Sequence, residues 1–109
     1  MYIPCKGDIV KINFDPISGH EQGGLRPAVV LSDISYNQMS GLCLLVPVTS
    51  KIKKFAFQVD LGGAHTIIGV ALCDHLRTMD WNSRKIQFIE KLNSDILDDV
   101  LAKSRSLLE

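Results

Sequence analysis

The segment from Phe14 to Leu31 holds the residues of this chain that are best suited to proton and phosphate chemistry. His20 and Glu21 are adjacent, and Arg26 follows after a pair of glycines. Histidine and glutamate can transfer protons, while the planar guanidinium of arginine binds phosphate oxygens and stays charged. The segment is longer than a simple turn, which is typical of functional loops. We therefore interpret it as an active-site loop.

These residue types are the ones that RNA cleavage without a metal ion needs. The 2′-hydroxyl attacks its own phosphate, so a base takes a proton, an acid protonates the leaving 5′-oxygen and a cation stabilises the phosphate. Thr49 could donate a hydroxyl to that phosphate, and Asp74 could face the same cleft. Each residue has a plainer alternative. Thr49 could cap a strand end, Asp74 could cap a helical turn, His20 could be solvated, and Glu21 with Arg26 could form a surface ion pair.

Basic residues form two clusters on a chain whose 12 basic and 12 acidic residues balance. A neutral total disfavours a general nucleic-acid binder. The clusters could still build a basic face for RNA, or they could be scattered solvated charges. The candidate RNA-binding residues are Lys51, Lys53, Lys54, Arg77 and Arg84.

Length and composition predict a single domain over residues 1–109. Cys5, Cys43 and Cys73 form no CxxC pair, and we interpret them as free thiols rather than metal ligands, so no metal or other cofactor is expected. No apolar run approaches the ~20 residues of a membrane span. The N-terminus lacks the apolar core of a signal peptide, so a cytoplasmic protein is expected.

Apolar periodicity predicts a mainly β fold with five to six short antiparallel strands and one amphipathic C-terminal helix. The helix, capped by Asn93 or Ser94, carries an apolar stripe from Ile96 to Leu108. Such an order indicates a small, strongly bent sheet or barrel packed on that helix. Trp81 is expected to be buried, with base stacking as the alternative. Strands are expected at 10–14, 28–31, 42–48, 55–61, 67–73 and 86–89, with polar connections at 32–39 and 74–82.

The motifs GHEQ, RP, PVTS and DxxxxxD occur together in this chain. GDIVKINFDPISGHEQGGLRPAVVLS resembles the opening of the MazF/PemK (Kid) toxin family of type II toxin–antitoxin systems. The likeness continues through SYNQMSGLCLLVPVTS and GVALCDHLRTMDW and fades after Arg84. The resemblance implies an SH3-like barrel of the CcdB/MazF type, a homodimer and a toxin that inhibits growth. The implied activity is a sequence-specific endoribonuclease, independent of metal and ribosome, that cuts single-stranded RNA to 2′,3′-cyclic phosphate and 5′-hydroxyl ends. A cognate antitoxin is implied as partner, with operator DNA bound only together with it.

The same resemblance assigns roles to five residues of this chain. The loop arginine of the family falls on Arg26, the strand-end threonine on Thr49 and the loop glutamate on Glu21. The histidine and aspartate of the Kid branch fall on His20 and Asp74.

Two departures from the family pattern leave the proton-transfer group open. Leu72 stands where the Kid branch has an arginine, so phosphate handling falls to Arg26, a lysine or Arg77. Many MazF members lack a histidine at the position of His20, which favours Glu21 for proton transfer.

Two other functions fit the same barrel. One is a non-enzymatic toxin that poisons DNA gyrase, although the chain has no aromatic residue after Phe88. The other is a degenerate toxin that acts as a DNA-binding co-repressor with its antitoxin.

Overall fold

The computed structural model describes residues 1–52 and 56–109. Within them, one antiparallel sheet of seven strands is followed by a C-terminal helix, which confirms the mainly β prediction and adds a strand to the expected five to six. The elements are β1 (Asp8–Asn13), β2 (Leu25–Val30), α1 (Ile34–Ser40), β3 (Leu42–Thr49), β4 (Gln58–Asp60), β5 (Val70–Leu72), β6 (Arg77–Asp80), β7 (Gln87–Lys91) and α2 (Ser94–Ser106). The strand order is β4-β5-β3-β2-β1-β7, and β6 pairs with β3.

Strand β3 organises the sheet because it pairs with three others. Its first half pairs with β6, its middle pairs with β2, and Val48 and Thr49 at its end pair with Ala71 and Val70 of β5. The apolar run of β3 is buried for most of its length, as a central strand requires. Thr49 is therefore held where the strand leaves the sheet.

Two apolar clusters lie on opposite faces of β1 and β2, because successive side chains of a strand point to opposite faces. Ile9 and Val29 belong to one cluster, whereas Val10 and Ala28 belong to the other. Helix α2 covers the first cluster with Ile96, Leu97, Val100 and Leu101. The Asn93 side chain caps this helix by accepting from the backbone N–H groups of Asp95 and Ile96.

The expectation of a polar crossing segment over 74–82 was wrong, because this stretch contains β6. Leu42 to Leu45 of β3 pair with β6 in antiparallel register. Only Met79 within the strand and Trp81 just after it are buried, so the apolar alternation is too short to be recognised among polar neighbours. The burial expected for Trp81 is confirmed, and its indole N–H donates to the carbonyl oxygen of Asn37 at 2.9 Å.

Other boundaries differ from the predicted ones. The strand expected at 67–73 is limited to Val70–Leu72, and β2 begins at Leu25, two residues before Pro27. Helix α2 ends at Ser106, so Leu107 and Leu108 lie beyond it and are exposed. The strand expected at 55–61 is β4, which is shorter, and residue 55 lies outside the described residues.

A buried carboxylate anchors the N-terminal segment to the sheet. Asp8 accepts hydrogen bonds from the backbone N–H of Cys5 at 2.9 Å, from the hydroxyl of Tyr2 and from the ammonium group of Lys91. Burial and the bond to Asp8 raise the pKa of Tyr2, and the bond to Asp8 raises that of Lys91. No sequence pattern predicted this cluster.

The thiols match the interpretation as free cysteines. Cys43 and Cys73 are buried, and burial raises the pKa of Cys43 to about 12 and that of Cys73 to about 11. Neither is a nucleophile at neutral pH. Among the described residues, no helix is long and apolar enough to cross a membrane.

Candidate nuclease site

Three cavities of the described chain share lining residues and so lie side by side, and together they are called the depression. The Arg26 cavity, of about 510 Å³, lies between the start of β2, the end of β3 and the connection before β5. The Asp74 cavity, of about 420 Å³, extends from Thr49 to the β5–β6 turn. The Arg77 cavity, of about 300 Å³, lies between that turn and the β1–β2 loop. Gln22 lines all three.

Arg26 and Thr49 line the same cavity although they are far apart in the sequence. Arg26 is half-buried in β2, and its Nε donates to the carbonyl oxygen of Gly23 at 2.8 Å. Among the described residues, none accepts a hydrogen bond from its terminal guanidinium nitrogens. The hydroxyl oxygen of Thr49 accepts from the backbone N–H of Lys51 at 3.2 Å, which leaves the hydroxyl hydrogen able to donate. A guanidinium and a hydroxyl thus border one space of a size that holds a phosphodiester.

Gly69, the last residue of the connection before β5, lies against the backbone of Thr49. Its φ is +140°, and a Cβ there would lie 2.4 Å from the carbonyl oxygen of Thr49 and 2.9 Å from its carbonyl carbon. Only glycine tolerates this approach. The sequence around Gly69 did not indicate that this glycine would pack against a candidate catalytic residue.

The outer wall of the Arg26 cavity is held in place by the carboxylate of a residue in β7. Glu90 of β7 accepts from the backbone N–H groups of Thr66 at 2.9 Å and Ile67 at 2.8 Å, and these bonds lower the pKa of Glu90. Next to it, Nε2 of His65 accepts from the backbone N–H of Asn93 at 2.9 Å. The connection between β4 and β5, which includes the three wall residues Thr66, Ile67 and Ile68, is therefore tied to β7 and to the start of α2.

The β1–β2 loop is pinned at its base by side chains and backbone together. Phe14 is buried, and its N–H donates to the carbonyl oxygen of Gly24 at 2.9 Å. The carboxylate of Asp15 accepts from the N–H of Gly24 at 2.9 Å, and the peptide bond from Asp15 to Pro16 is cis. Beyond this base, His20, Glu21 and Gln22 of the loop line the cavities.

Two arginines assigned to RNA binding also support this loop. Arg77 donates to the carbonyl oxygen of Phe14 at 2.9 Å, and its guanidinium carbon lies 5.8 Å from the centre of the Phe14 ring. Arg84 donates to the carbonyl oxygens of Asn13 and Asp15, both at 2.8 Å. Arg77 lines the Arg77 cavity, whereas Arg84 lines none of the three.

The candidate proton-transfer residues are divided between the cavities. His20 and Asp74 line the Asp74 cavity together with Thr49, and they line the Arg77 cavity as well. Glu21 lines only the Arg77 cavity, and its carboxylate accepts from the backbone N–H of Ser18 at 2.6 Å. The structure therefore brings His20 and Asp74 to the side of Thr49 and leaves Glu21 farther along the depression.

Of the three candidate lysines, Lys51 lines both the Arg26 and the Asp74 cavities. Lys53 and Lys54 lie outside the described residues. Among the described residues, no group of three or more His, Cys, Asp or Glu side chains is arranged to hold a metal ion.

Gln22 and His75 are polar lining residues that were not among the predicted site residues. Gln22 follows the His20–Glu21 pair directly, so the GHEQ motif contained the signal. His75 lines both the Asp74 and the Arg77 cavities. Its position next to Asp74 at the end of a strand was the available signal.

A small sheet that places an arginine, a threonine hydroxyl and several proton-transfer groups around one depression has the make-up of a phosphodiester-cleaving enzyme. Residues 5–108 match the family described as PemK-like, MazF-like toxin of type II toxin–antitoxin system. The chain belongs to this family.

Named relatives agree with the match. The chain is 46% identical over 83 residues to the "Endoribonuclease toxin MazF" of Escherichia coli strain K12, covering 76% of this chain and 74% of the relative. A crystal structure of MazF from Deinococcus radiodurans superposes with a TM-score of 0.95 at 44% identity, covering 99% and 98% of the two chains. A crystal structure of MazE–MazF from the same organism superposes with a TM-score of 0.87 at 39% identity, covering 99% of this chain and 97% of the other. The resemblance inferred from the motifs is confirmed.

Proposed function

We propose that this protein is the endoribonuclease toxin of a type II toxin–antitoxin module and that it cleaves single-stranded RNA at the Arg26 and Asp74 cavities. The observation that carries the proposal is the shared cavity of Arg26 and Thr49. The family match and the names of the relatives support RNA cleavage over gyrase poisoning or a purely co-repressor role.

In the proposed reaction, the 2′-oxygen of the substrate attacks the adjacent phosphorus and displaces the 5′-oxygen. The guanidinium of Arg26 stabilises the negative charge that accumulates on the non-bridging oxygens, and the hydroxyl of Thr49 donates to one of them. The products are a 2′,3′-cyclic phosphate and a 5′-hydroxyl, so no water is consumed in this step.

The base that accepts the 2′-hydroxyl proton is proposed to be His20, Asp74 or Glu21. His20 and Asp74 line the same cavity as Thr49, which favours them over Glu21 on position. Imidazole and carboxylate groups both have the chemistry of a general base.

The central experiment replaces Arg26 by alanine and compares it with Arg105→Ala, because Arg105 is an exposed arginine of α2 that lines none of the three cavities. Loss of one preorganised donor to a transition-state oxyanion costs about 10²–10³-fold in rate, and Arg26→Ala should lose at least that much. Arg105→Ala should cleave like the unmodified protein.

Circular dichroism establishes that both variants fold, and mass spectrometry of the RNA ends identifies the cyclic phosphate. A folded Arg26→Ala protein with full cleavage activity would remove Arg26 from the mechanism. Cleavage should also persist in the presence of a chelator, and a strict requirement for Mg²⁺ would contradict the metal-independent reaction.

RNA binding is proposed to depend on Lys51, Lys53, Lys54, Arg77 and Arg84, so affinity should fall as the salt concentration rises. The cut sequence is proposed to be chosen by the β1–β2 loop and by the segment after Thr49. Mapping of cut sites on a long unstructured RNA would identify it.

The proposed partners are a second copy of the chain and an antitoxin. Leu25 and Ile68 line the Arg26 cavity with 65% and 79% of their surface exposed, and a second copy could cover them in a homodimer. An acidic antitoxin segment would be attracted to the basic clusters and could occupy the RNA groove. Operator DNA would be bound only with antitoxin, and the reaction would take place in the cytoplasm, where RNA is available.

A further inference from the structure

A second imidazole, that of His75 in the β5–β6 turn, lines the depression. His75 lines the Asp74 cavity, which also contains Thr49, and the Arg77 cavity. Its side chain is 29% exposed, so the ring is partly sheltered and still reachable from the groove. The turn holds the main chain of His75, because its backbone N–H donates to the carbonyl oxygen of Leu72 at 3.0 Å.

A carboxylate accompanies this imidazole. Nε2 of His75 lies 3.9 Å from Oδ1 of Asp74, a distance at which the two pair electrostatically when the ring is protonated. The groups that face His75 from the neighbouring elements are His20 and Glu21 on the β1–β2 loop, Arg77 on β6, and Lys51 after β3.

The cleavage reaction needs an acid as well as a base, and apart from His20, which is proposed above as a base, no residue discussed so far supplies that acid well. The leaving 5′-oxygen must take a proton as its bond to phosphorus breaks. Arginine holds its protons too firmly to release one near neutral pH, and a threonine hydroxyl is also too weak an acid. A carboxylate ionised at neutral pH has no proton to give, whereas histidine, with a reference pKa of about 6.5, can carry one and release it.

We propose that His75, in its protonated form, is the general acid that protonates the leaving 5′-oxygen; this inference rests on the proposed RNA cleavage. The bond from the 2′-oxygen to phosphorus forms and the bond from phosphorus to the 5′-oxygen breaks. The imidazolium of His75 gives its proton to the 5′-oxygen, while the base takes the proton of the 2′-hydroxyl. Both groups then return to their starting forms by proton exchange with water.

The test compares His75→Gln and His75→Ala with the unmodified protein on two RNA substrates of the same sequence. One has the ordinary 5′-oxygen at the cut site, and the other has sulfur there. A thiolate leaves without being protonated, so the sulfur substrate does not need the acid. Both variants should lose about 10²–10⁴-fold in kcat on the oxygen substrate and retain the unmodified rate on the sulfur substrate.

The pH profile supplies a second measurement. In the unmodified protein, kcat on the oxygen substrate should decline toward alkaline pH as His75 loses its proton, and this decline should be absent from the residual activity of His75→Gln. Equal slowing on both substrates would show a positioning or folding defect and overturn the proposal, and so would an unimpaired rate on the oxygen substrate. If the unmodified protein cleaved neither RNA, the proposed function itself would fail, which is a separate outcome.

Discussion

Replacement of Gly69 by alanine should damage both stability and cleavage through the backbone of Thr49. The new methyl carbon would lie 2.4 Å from the carbonyl oxygen of Thr49, roughly 1 Å closer than the C···O contacts of about 3.3 Å found between neighbouring strands. The φ of +140° adds strain for any residue with a Cβ. Relief requires the ends of β3 and β5 to separate.

The loss of stability can be worked out from the backbone strain and the close contact. A residue held in an unfavourable backbone region costs about 1–3 kcal/mol, and a forced contact in a packed region costs about 1–3 kcal/mol. Together they give roughly 2–6 kcal/mol, a large part of the ~5–15 kcal/mol that stabilises a typical protein. At about 4 °C for each kcal/mol, the Tm should fall by at least about 8 °C.

Gly63→Ala is the matched control for Gly69→Ala. Gly63 lies in the same connection and lacks a left-handed φ, and a Cβ added there would meet no atom within 4 Å. Its Tm should stay the same or rise slightly, because alanine restricts the unfolded chain.

Thermal unfolding followed by circular dichroism measures Tm, and cleavage of a single-stranded RNA well below the Tm measures activity. Gly69→Ala should cleave more slowly than Gly63→Ala even where both are folded, because Thr49 is displaced. If Gly69→Ala matched the unmodified protein in both Tm and cleavage, the reasoning about this contact would be refuted.

Three further predictions concern stability and thiol reactivity. Stability should fall above about pH 10, because Tyr2 and Lys91 have raised pKa values and keep protons that the unfolded chain releases. Tm measured as a function of pH should fall less steeply in Asp8→Asn than in the unmodified protein. A thiol reagent should modify Cys5 in the folded protein and reach the two buried thiols only in denaturant, and reaction of all three without unfolding would contradict the burial. Trp81→Phe should lower the free energy of unfolding by about 1–3 kcal/mol in urea titrations, because a buried carbonyl loses its donor, and an unchanged midpoint would argue against that bond.

The sequence predicted best those elements whose apolar pattern is long and regular. Strands β1 to β3 have alternating or continuous apolar runs, and α2 has a helical stripe with a capping residue at Asn93. Their approximate positions could be found from local pattern alone because burial imposes those patterns. Strand β6 could not, because its four residues include a single buried apolar side chain.

The site was predictable in its residue types and only partly in its arrangement. The family resemblance named Arg26 and Thr49, and the structure places them along one cavity. The roles of Gly69 and Glu90 depend on contacts between residues that are far apart in the chain, and no local pattern encodes such contacts. The support that Arg84 gives to the carbonyl groups of the β1–β2 loop was hidden for the same reason.

The hydrogen bonds that Glu90 accepts from Thr66 and Ile67 have a consequence for the sheet as a whole. Strands β7 and β4 stand at the two ends of the strand order, where exposed edges would invite pairing with another chain. The carboxylate of Glu90 in β7 accepts from the backbone of the connection between β4 and β5, so a side chain links β7 to the segment that follows β4. Thr66 and Ile67 also line the Arg26 cavity, so a change that breaks this link would alter the shape of that cavity.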